Sequence, residues 1–294
     1  MRALVIEGGG MRGAYANGVL ARLQQADVSF DAVYGTSAGG ALAAWFAAGQ
    51  ADRAARTWDY VNDERILSYR RWLTRQGPLL DHDGLFEIVY QDERPLDVDA
   101  VREAPFPVIV PATEVETGEG VYQDLRDGDV IDWLRATGRL PLASGPPVEI
   151  DGTAYLDGGL ADPIPIEKAI EDGADEIVVV LNRPERKSEA ESWILGAVVG
   201  QRFPELFDLV RRHAEIWNDQ AAIARDPPPG VETTLIHPEE YLELARLSRD
   251  QAKIENAIET GREDADEWLV EQGEIQPDQE APKAAARDAD EVAR

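Results

Sequence analysis

The chain has 294 residues, 44% of them hydrophobic, enough for one large or two small domains around a sizeable core. Its 57 acidic residues against 29 basic ones give a formal charge of −28, and there is no cysteine. This excludes nucleic acid as a partner and rules out disulfides, thiolate chemistry and Cys-ligated metals. Only Lys168, Lys187, Lys253 and Lys283 are lysines. An acidic, lysine-poor chain suits a salt-saturated cytoplasm, where the Debye length falls to about 3 Å at 1 M and self-repulsion is screened.

Met1 runs directly into a strand, Ala3-Leu4-Val5-Ile6, without a basic and hydrophobic leader. The expected location is therefore cytoplasmic, free or peripheral at the inner membrane face. The next segment, Gly8-Gly9-Gly10-Met11-Arg12-Gly13, satisfies G-x-G-x-x-G between a strand and a helix. As a dinucleotide fingerprint it lacks the acid at the end of the second strand, because Ala32-Val33-Tyr34 leads into Gly35-Thr36-Ser37 and Asp31 stands at its beginning. The same run of amides at a helix N-terminus forms a positive concavity suited to an oxyanion.

Gly35-Thr36-Ser37-Ala38-Gly39-Gly40 separates that second strand from the apolar stretch Ala41-Leu42-Ala43-Ala44-Trp45-Phe46. This is a G-x-S-x-G elbow in its expected context, strand then buried helix, and makes Ser37 the candidate nucleophile. From residue 58 to 90 the pattern is helical but irregular, with Arg70-Arg71-Trp72 and Gly77-Pro78 predicted as loop. Asp81-His82-Asp83-Gly84 precedes a helix, and its acids read as N-cap residues; with no complete ligand set nearby, no metal site is expected.

Val108-Ile109-Val110 and Ile177-Val178-Val179-Val180-Leu181 are further strands. Continuous apolar strands alternating with helices predict an α/β protein, a three-layer α/β/α sandwich on a mostly parallel sheet. Between them, Tyr155-Leu156-Asp157-Gly158-Gly159-Leu160 offers Asp157 as a base, with Gly158 and Gly159 letting the backbone fold tightly; alone, Asp-Gly-Gly is also a common turn. Residues 193–210 are interrupted by Gln201, Arg202, Glu205 and Asp208, so they predict a helix with an apolar face and not a membrane span. This segment and Arg70-Arg71-Trp72-Leu73 are expected to pack in the core, with an acyl pocket or a bilayer as the other reading. His213 reads as part of a solvated helix face. His237, after Thr234-Leu235-Ile236, sits at a strand end and is the histidine rival for the role of base. Residues 1–272 are expected to form one catalytic domain and residues 273–294 a disordered acidic tail.

Taken in order, the glycine loop 8–13, Gly35-Thr36-Ser37-Ala38-Gly39 and Asp157-Gly158-Gly159 resemble the patatin-like phospholipase family. Supporting stretches are Pro111-Ala112-Thr113-Glu114, Pro146-Pro147-Val148-Glu149 and Ala161-Asp162-Pro163-Ile164-Pro165, so the similarity spans roughly residues 2 to 240. Ala136-Thr137 departs from the family's usual Ala-Ser but keeps a hydroxyl, and the acidic C-terminal part has no counterpart. The resemblance implies a Ser-Asp dyad without histidine that hydrolyses acyl esters of lipids without a cofactor or metal. Ser37 would be the nucleophile and Asp157 the proton acceptor, with oxyanion donors from the loop Gly8 to Gly13 and from Ala38 N–H. Aspartate, with a free pKa near 3.9, is a weak base for a hydroxyl, so the amides must carry much of the catalysis. The alternatives are a soluble carboxylesterase with a Ser-Asp-His triad and a non-catalytic regulatory module on the same fold. The sequence does not fix the oligomeric state.

Overall fold

The computed structural model describes residues 1–91, 95–184 and 196–276. In chain order the elements are β1 (Arg2–Ile6), α1 (Gly13–Gln25), β2 (Ala32–Gly35), α2 (Ala38–Ala47), a 3-10 stretch (Ala51–Asn62), α3 (Tyr69–Leu73), α4 (His82–Gln91) and α5 (Val98–Arg102). There follow β3 (Val108–Glu114), β4 (Gly120–Asp124), α6 (Val130–Thr137), β5 (Val148–Ile150), β6 (Thr153–Asp157), α7 (Ile166–Glu171) and β7 (Glu176–Val180). The last are α8 (Phe207–Arg211), α9 (His213–Arg225), β8 (Glu232–Ile236) and α10 (Gln251–Glu271).

Among the described residues the strands form one sheet in the order β5-β6-β3-β2-β1-β7-β8, with β4 also paired to β3. Strands β8, β7, β1, β2 and β3 are parallel. Their apolar runs are continuous because both faces are covered. Leu4 and Ile6 of β1 enter one core with residues of α1, α2 and α10, such as Leu20, Leu42 and Trp268. Ala3 and Val5 enter a second core with Ile166 and Ala169 of α7 and Trp217 and Ala221 of α9. The layers are therefore helix, sheet, helix, as expected.

The antiparallel part of the sheet was not anticipated. β2 pairs only with the first half of β3, at Val108 and Ile109. The vacated edge beyond is taken by β6, which runs the opposite way and pairs Asp157 with Ala112. β2 and β6 thus approach each other head-on along one edge of β3. A Gly152-containing hairpin joins β5 to β6.

Three local expectations are corrected. Arg70-Arg71-Trp72 is helical, because Ser68 caps α3 by accepting from the Arg71 amide at 3.3 Å. Trp72 and Leu73 on it are 46% and 73% exposed and do not join the core. Residues 193–195 lie outside the described residues, and the rest of 193–210 is not one helix: Pro204 opens a separate 3-10 turn before α8. Its buried side chains Val199, Leu206 and Val210 pack on Leu156 and Leu160. Of the expected tail, residues 277–294 lie outside the described residues. No helix among the described residues is long and apolar enough to cross a membrane.

Candidate active site

Parallel pairing puts Ile6, Gly35 and Val180 on one rung, so β1, β2 and β7 end level. Their following residues emerge side by side at the carboxyl ends of the strands, where open α/β sheets bind ligands. Beyond β2 the chain turns so sharply that Ser37 adopts φ 55° and ψ −121°. A non-glycine residue in this region costs on the order of 1–3 kcal/mol. The surroundings enforce it. Thr36 donates its amide to Ile6 O at 3.2 Å and its hydroxyl to Asp162 O at 2.9 Å. The Ser37 amide donates to Thr137 Oγ1 at 3.0 Å. Gly39 must be glycine, since a Cβ there would lie 2.7 Å from Ile6 O and 2.8 Å from Glu7 O.

Strand β6 delivers Asp157 to this turn. Ser37 Oγ donates to Asp157 Oδ2 at 2.8 Å, and Asp157 Oδ1 accepts from the Gly159 amide at 2.7 Å. Asp157 is buried. One carboxylate oxygen is therefore held by the main chain and the other is directed at the serine hydroxyl.

The glycine loop is less open than its sequence suggests. The Gly8 amide donates to Pro163 O at 3.1 Å, Met11 to Arg246 O at 3.0 Å, Arg12 to Gly9 O at 3.3 Å, and Gly13 to Gly10 O and Met11 O. These engagements remove Gly8, Met11, Arg12 and Gly13 from the expected set of donors. The amides of Gly9, Gly10 and Ala38 have no acceptor among the described residues. Gly9 and Gly10 border a cavity of about 30 Å³ together with Ser37 and Asp157. Gly10, Ser37 and Ala38 also border a second cavity of about 130 Å³, walled by apolar side chains including Leu42, Trp45, Trp58, Phe86 and Leu134. Ser37 stands where the two meet.

The three histidines stand in different surroundings. His82 is the first residue of α4, whose N-terminus Asp81 caps by accepting from the Gly84 amide at 2.9 Å. Its ring packs edge-on to Phe86 at 4.9 Å and lines the apolar cavity. Burial, helped by Arg139, pushes its pKa down to about 3. His213 is not on a solvated face: it is 6% exposed and lines the smaller cavity with Ser37 and Asp157. His237, the expected rival, follows edge strand β8, places Nδ1 3.1 Å from Pro238 O, and lines neither cavity.

Residues that the sequence did not single out complete the frame. Buried Glu7 accepts from the Asn182 amide at 2.6 Å and from Trp217 Nε1 at 2.7 Å, tying the start of the glycine loop to the ends of β7 and α9. Asp162 accepts from Tyr122 Oη and Gln220 Nε2, both at 2.7 Å. Burial raises its pKa to about 6 against the pull of those two donors. An acid closing an apolar strand before a glycine run was a visible signal for Glu7. Among the described residues no cluster of three or more His, Asp or Glu side chains could hold a metal ion.

A family model described as patatin-like phospholipase matches residues 4–170, and one for a domain of unknown function matches residues 203–276. The uncharacterised protein YjjU of Escherichia coli is 27% identical over 278 residues, covering 88% of this chain and 74% of its own length. An uncharacterised NTE family protein of Mycobacterium bovis is 27% identical over 184 residues, 62% of this chain and 49% of its own. The crystal structure of VipD from Legionella pneumophila superposes with a TM-score of 0.48 at 14% identity, covering 92% of this chain and 67% of that one.

Proposed function

We propose that this chain, which belongs to the patatin-like phospholipase family, hydrolyses acyl ester bonds of lipids through Ser37 and Asp157. The observation that carries the reading is the 2.8 Å hydrogen bond from Ser37 Oγ to Asp157 Oδ2 at a strained elbow beside unengaged amides. In this mechanism Ser37 Oγ attacks the acyl carbonyl as Asp157 takes its proton. The amides of Gly9, Gly10 and Ala38 stabilise the oxyanion; loss of one such donor typically costs about 2.7–4 kcal/mol of barrier. Asp157 returns the proton to the leaving alcohol. It then draws a proton from the water that attacks the acyl carbonyl, and returns it to Ser37 Oγ as the Ser–acyl bond breaks and the acid leaves.

The 130 Å³ apolar cavity opening on Ser37 supports an acyl chain as its occupant. Exposed Trp72 and Leu73, with Tyr69 47% exposed on the same short helix, support peripheral docking at a lipid surface. A triad esterase is the second reading, and the placement of His213 favours it over one using His237. Fluorophosphonate labelling read by mass spectrometry separates them. The wild type, His213→Ala and His237→Ala should label at Ser37, whereas Asp157→Asn should lose labelling and ester hydrolysis. Labelling that survives Asp157→Asn but is abolished by His213→Ala would move the chain to the triad esterases.

A further inference from the structure

The segment before α10 reaches back to the site. Met11 donates its amide to Arg246 O at 3.0 Å, and Arg12 donates Nε to Leu244 O at 2.9 Å. Gly10 has no space for a side chain: a Cβ would lie 2.5 Å from Arg246 O and 2.8 Å from Arg246 Cγ. The two arginines have different fates. Arg12 is turned away, donating also to Tyr241 Oη at 3.1 Å and lying over that ring. Arg246 borders the small cavity with Ser37, Asp157, Gly9 and Gly10, and no side-chain hydrogen bond or ion pair ties its guanidinium down among the described residues.

A guanidinium carries five donors and no acceptor, and its planar fork matches carboxylate and phosphate oxygens. Arg246 is only half-buried, so its guanidinium is not sealed from solvent. Burial pulls its pKa down; the charges of Asp157 and Glu7 oppose this, while Arg12 and Arg183 add to it. Arginine stays protonated under these conditions. Asp157 already accepts from Ser37 Oγ and from the Gly159 amide, and its charge supports the protonated guanidinium. A cation on the cavity that the nucleophile borders, in a chain of charge −28, makes a local positive site on a surface that otherwise repels anionic lipid.

We propose that Arg246 binds the phosphate of a glycerophospholipid whose ester lies on Ser37, so that the site prefers phosphate-bearing acyl esters to neutral ones. The inference rests on the hydrolase reading above. In a glycerophospholipid the phosphate is only a few bonds from the scissile ester, so an ester seated on Ser37 brings its phosphate to the mouth of the cavity that Arg246 borders. The oxyanion has its own donors in Gly9, Gly10 and Ala38, which leaves the guanidinium for a second anion.

The test uses the full chain, its Arg246→Gln and Arg246→Lys variants, and three substrates in neutral-detergent micelles: dioctanoyl phosphatidylglycerol, dioctanoylglycerol and p-nitrophenyl octanoate. Loss of a charge-assisted pair predicts that Arg246→Gln lowers phospholipid kcat/KM by roughly 10- to 100-fold. The loss should lie mainly in KM, with both neutral esters within about 3-fold of wild type and partial recovery in Arg246→Lys. Fluorophosphonate labelling of Ser37 in each variant checks that the site is folded. Parallel loss on all three substrates would place the arginine on the oxyanion or on Asp157 and overturn the proposal; so would unchanged phospholipid hydrolysis. Inorganic phosphate separates headgroup from free anion: inhibition of octanoate hydrolysis that disappears in Arg246→Gln, without any preference for phospholipid, overturns the headgroup assignment. Calorimetric binding of the same phosphatidylglycerol to Ser37→Ala, with and without Arg246→Gln, needs no turnover. Binding weakened by Arg246→Gln supports the site even if the hydrolase reading fails, and binding that is absent or indifferent to the substitution refutes it.

Discussion

Gly158→Ala tests whether the meeting of two strand ends creates the site. Gly158 follows Asp157 where β6 runs along β3, and an added Cβ would sit 2.1 Å from Pro111 O and 2.7 Å from Pro111 C. Ordinary contact begins at 3.4 Å, so the end of β6 must retreat by roughly 1.3 Å, because a strand in mid-sheet cannot yield as a flexible side chain can. Applied to Asp157, that retreat turns the 2.8 Å bond with Ser37 into a separation of about 4 Å, beyond hydrogen-bond reach. A misplacement of this size is expected to lower kcat by about 10²-fold. Overpacking should cost about 1–3 kcal/mol of stability. Gly152→Ala is the control: Gly152 has φ +82° but nothing within 4 Å, so strain should lower Tm without moving the dyad. Hydrolysis of p-nitrophenyl octanoate and thermal unfolding of both variants decide the matter. Wild-type kcat/KM in Gly158→Ala, or an equal activity loss in Gly152→Ala, would refute the argument.

Thr137→Val should leave the Ser37 amide without its acceptor, cost about 1–3 kcal/mol, and reduce hydrolysis, whereas Thr137→Ser should retain both; Tm and kcat/KM measure this. His82 titrates near 6.5 in the unfolded chain and about 3 when folded. The unfolded chain therefore binds the extra proton between these values, so the His82 contribution is complete above pH 6.5 and is lost as pH falls toward 3. Asp162, with its pKa raised to about 6, acts in the opposite sense in both proteins. His82→Gln should thus give a shallower fall of Tm from pH 6.5 to 4 than wild type, and an identical slope would count against a neutral buried imidazole. Finally, Tm should rise steeply between 0.1 and 2 M KCl as the −28 charge is screened; a flat response would remove the salt-adapted reading.

How much could be read in advance followed from the range of the interaction. The elbow is local: Gly35, Ser37 and Gly39 lie within five residues, and their steric needs are met by their own strand and helix. The parallel strands were legible because their runs are apolar on both faces. β5 and β6 were overlooked although Asp151-Gly152 is a two-residue hairpin signal, with φ +50° and +82° as such turns require. Nothing local could have shown that β6 would occupy the vacant edge of β3, because that depends on β2 ending two residues into its pairing. His213 was misread from its charged neighbours Arg211, Arg212 and Glu215. Extending the helical spacing of Ala224, Ala221 and Trp217 backward by one turn reaches position 213 and puts it on the buried face.

The two matched regions also divide the site physically. Ser37, Asp157, Thr137 and the amides of Gly9, Gly10 and Ala38 all lie within residues 4–170. Their geometry tolerates little change, since the elbow, the β3 edge and the glycine loop share backbone contacts. Arg246, His213 and Leu247 come from residues 203–276 and border the cavities, and Arg246 O also holds the Met11 amide of the glycine loop. The alignment to the Escherichia coli relative, spanning 88% of this chain, is long enough to enter both regions. Leu247, which borders the larger apolar cavity, and Arg246, which borders the smaller one, are adjacent in sequence, so one short segment faces both cavities. Moving that segment to reshape one cavity necessarily displaces the wall of the other.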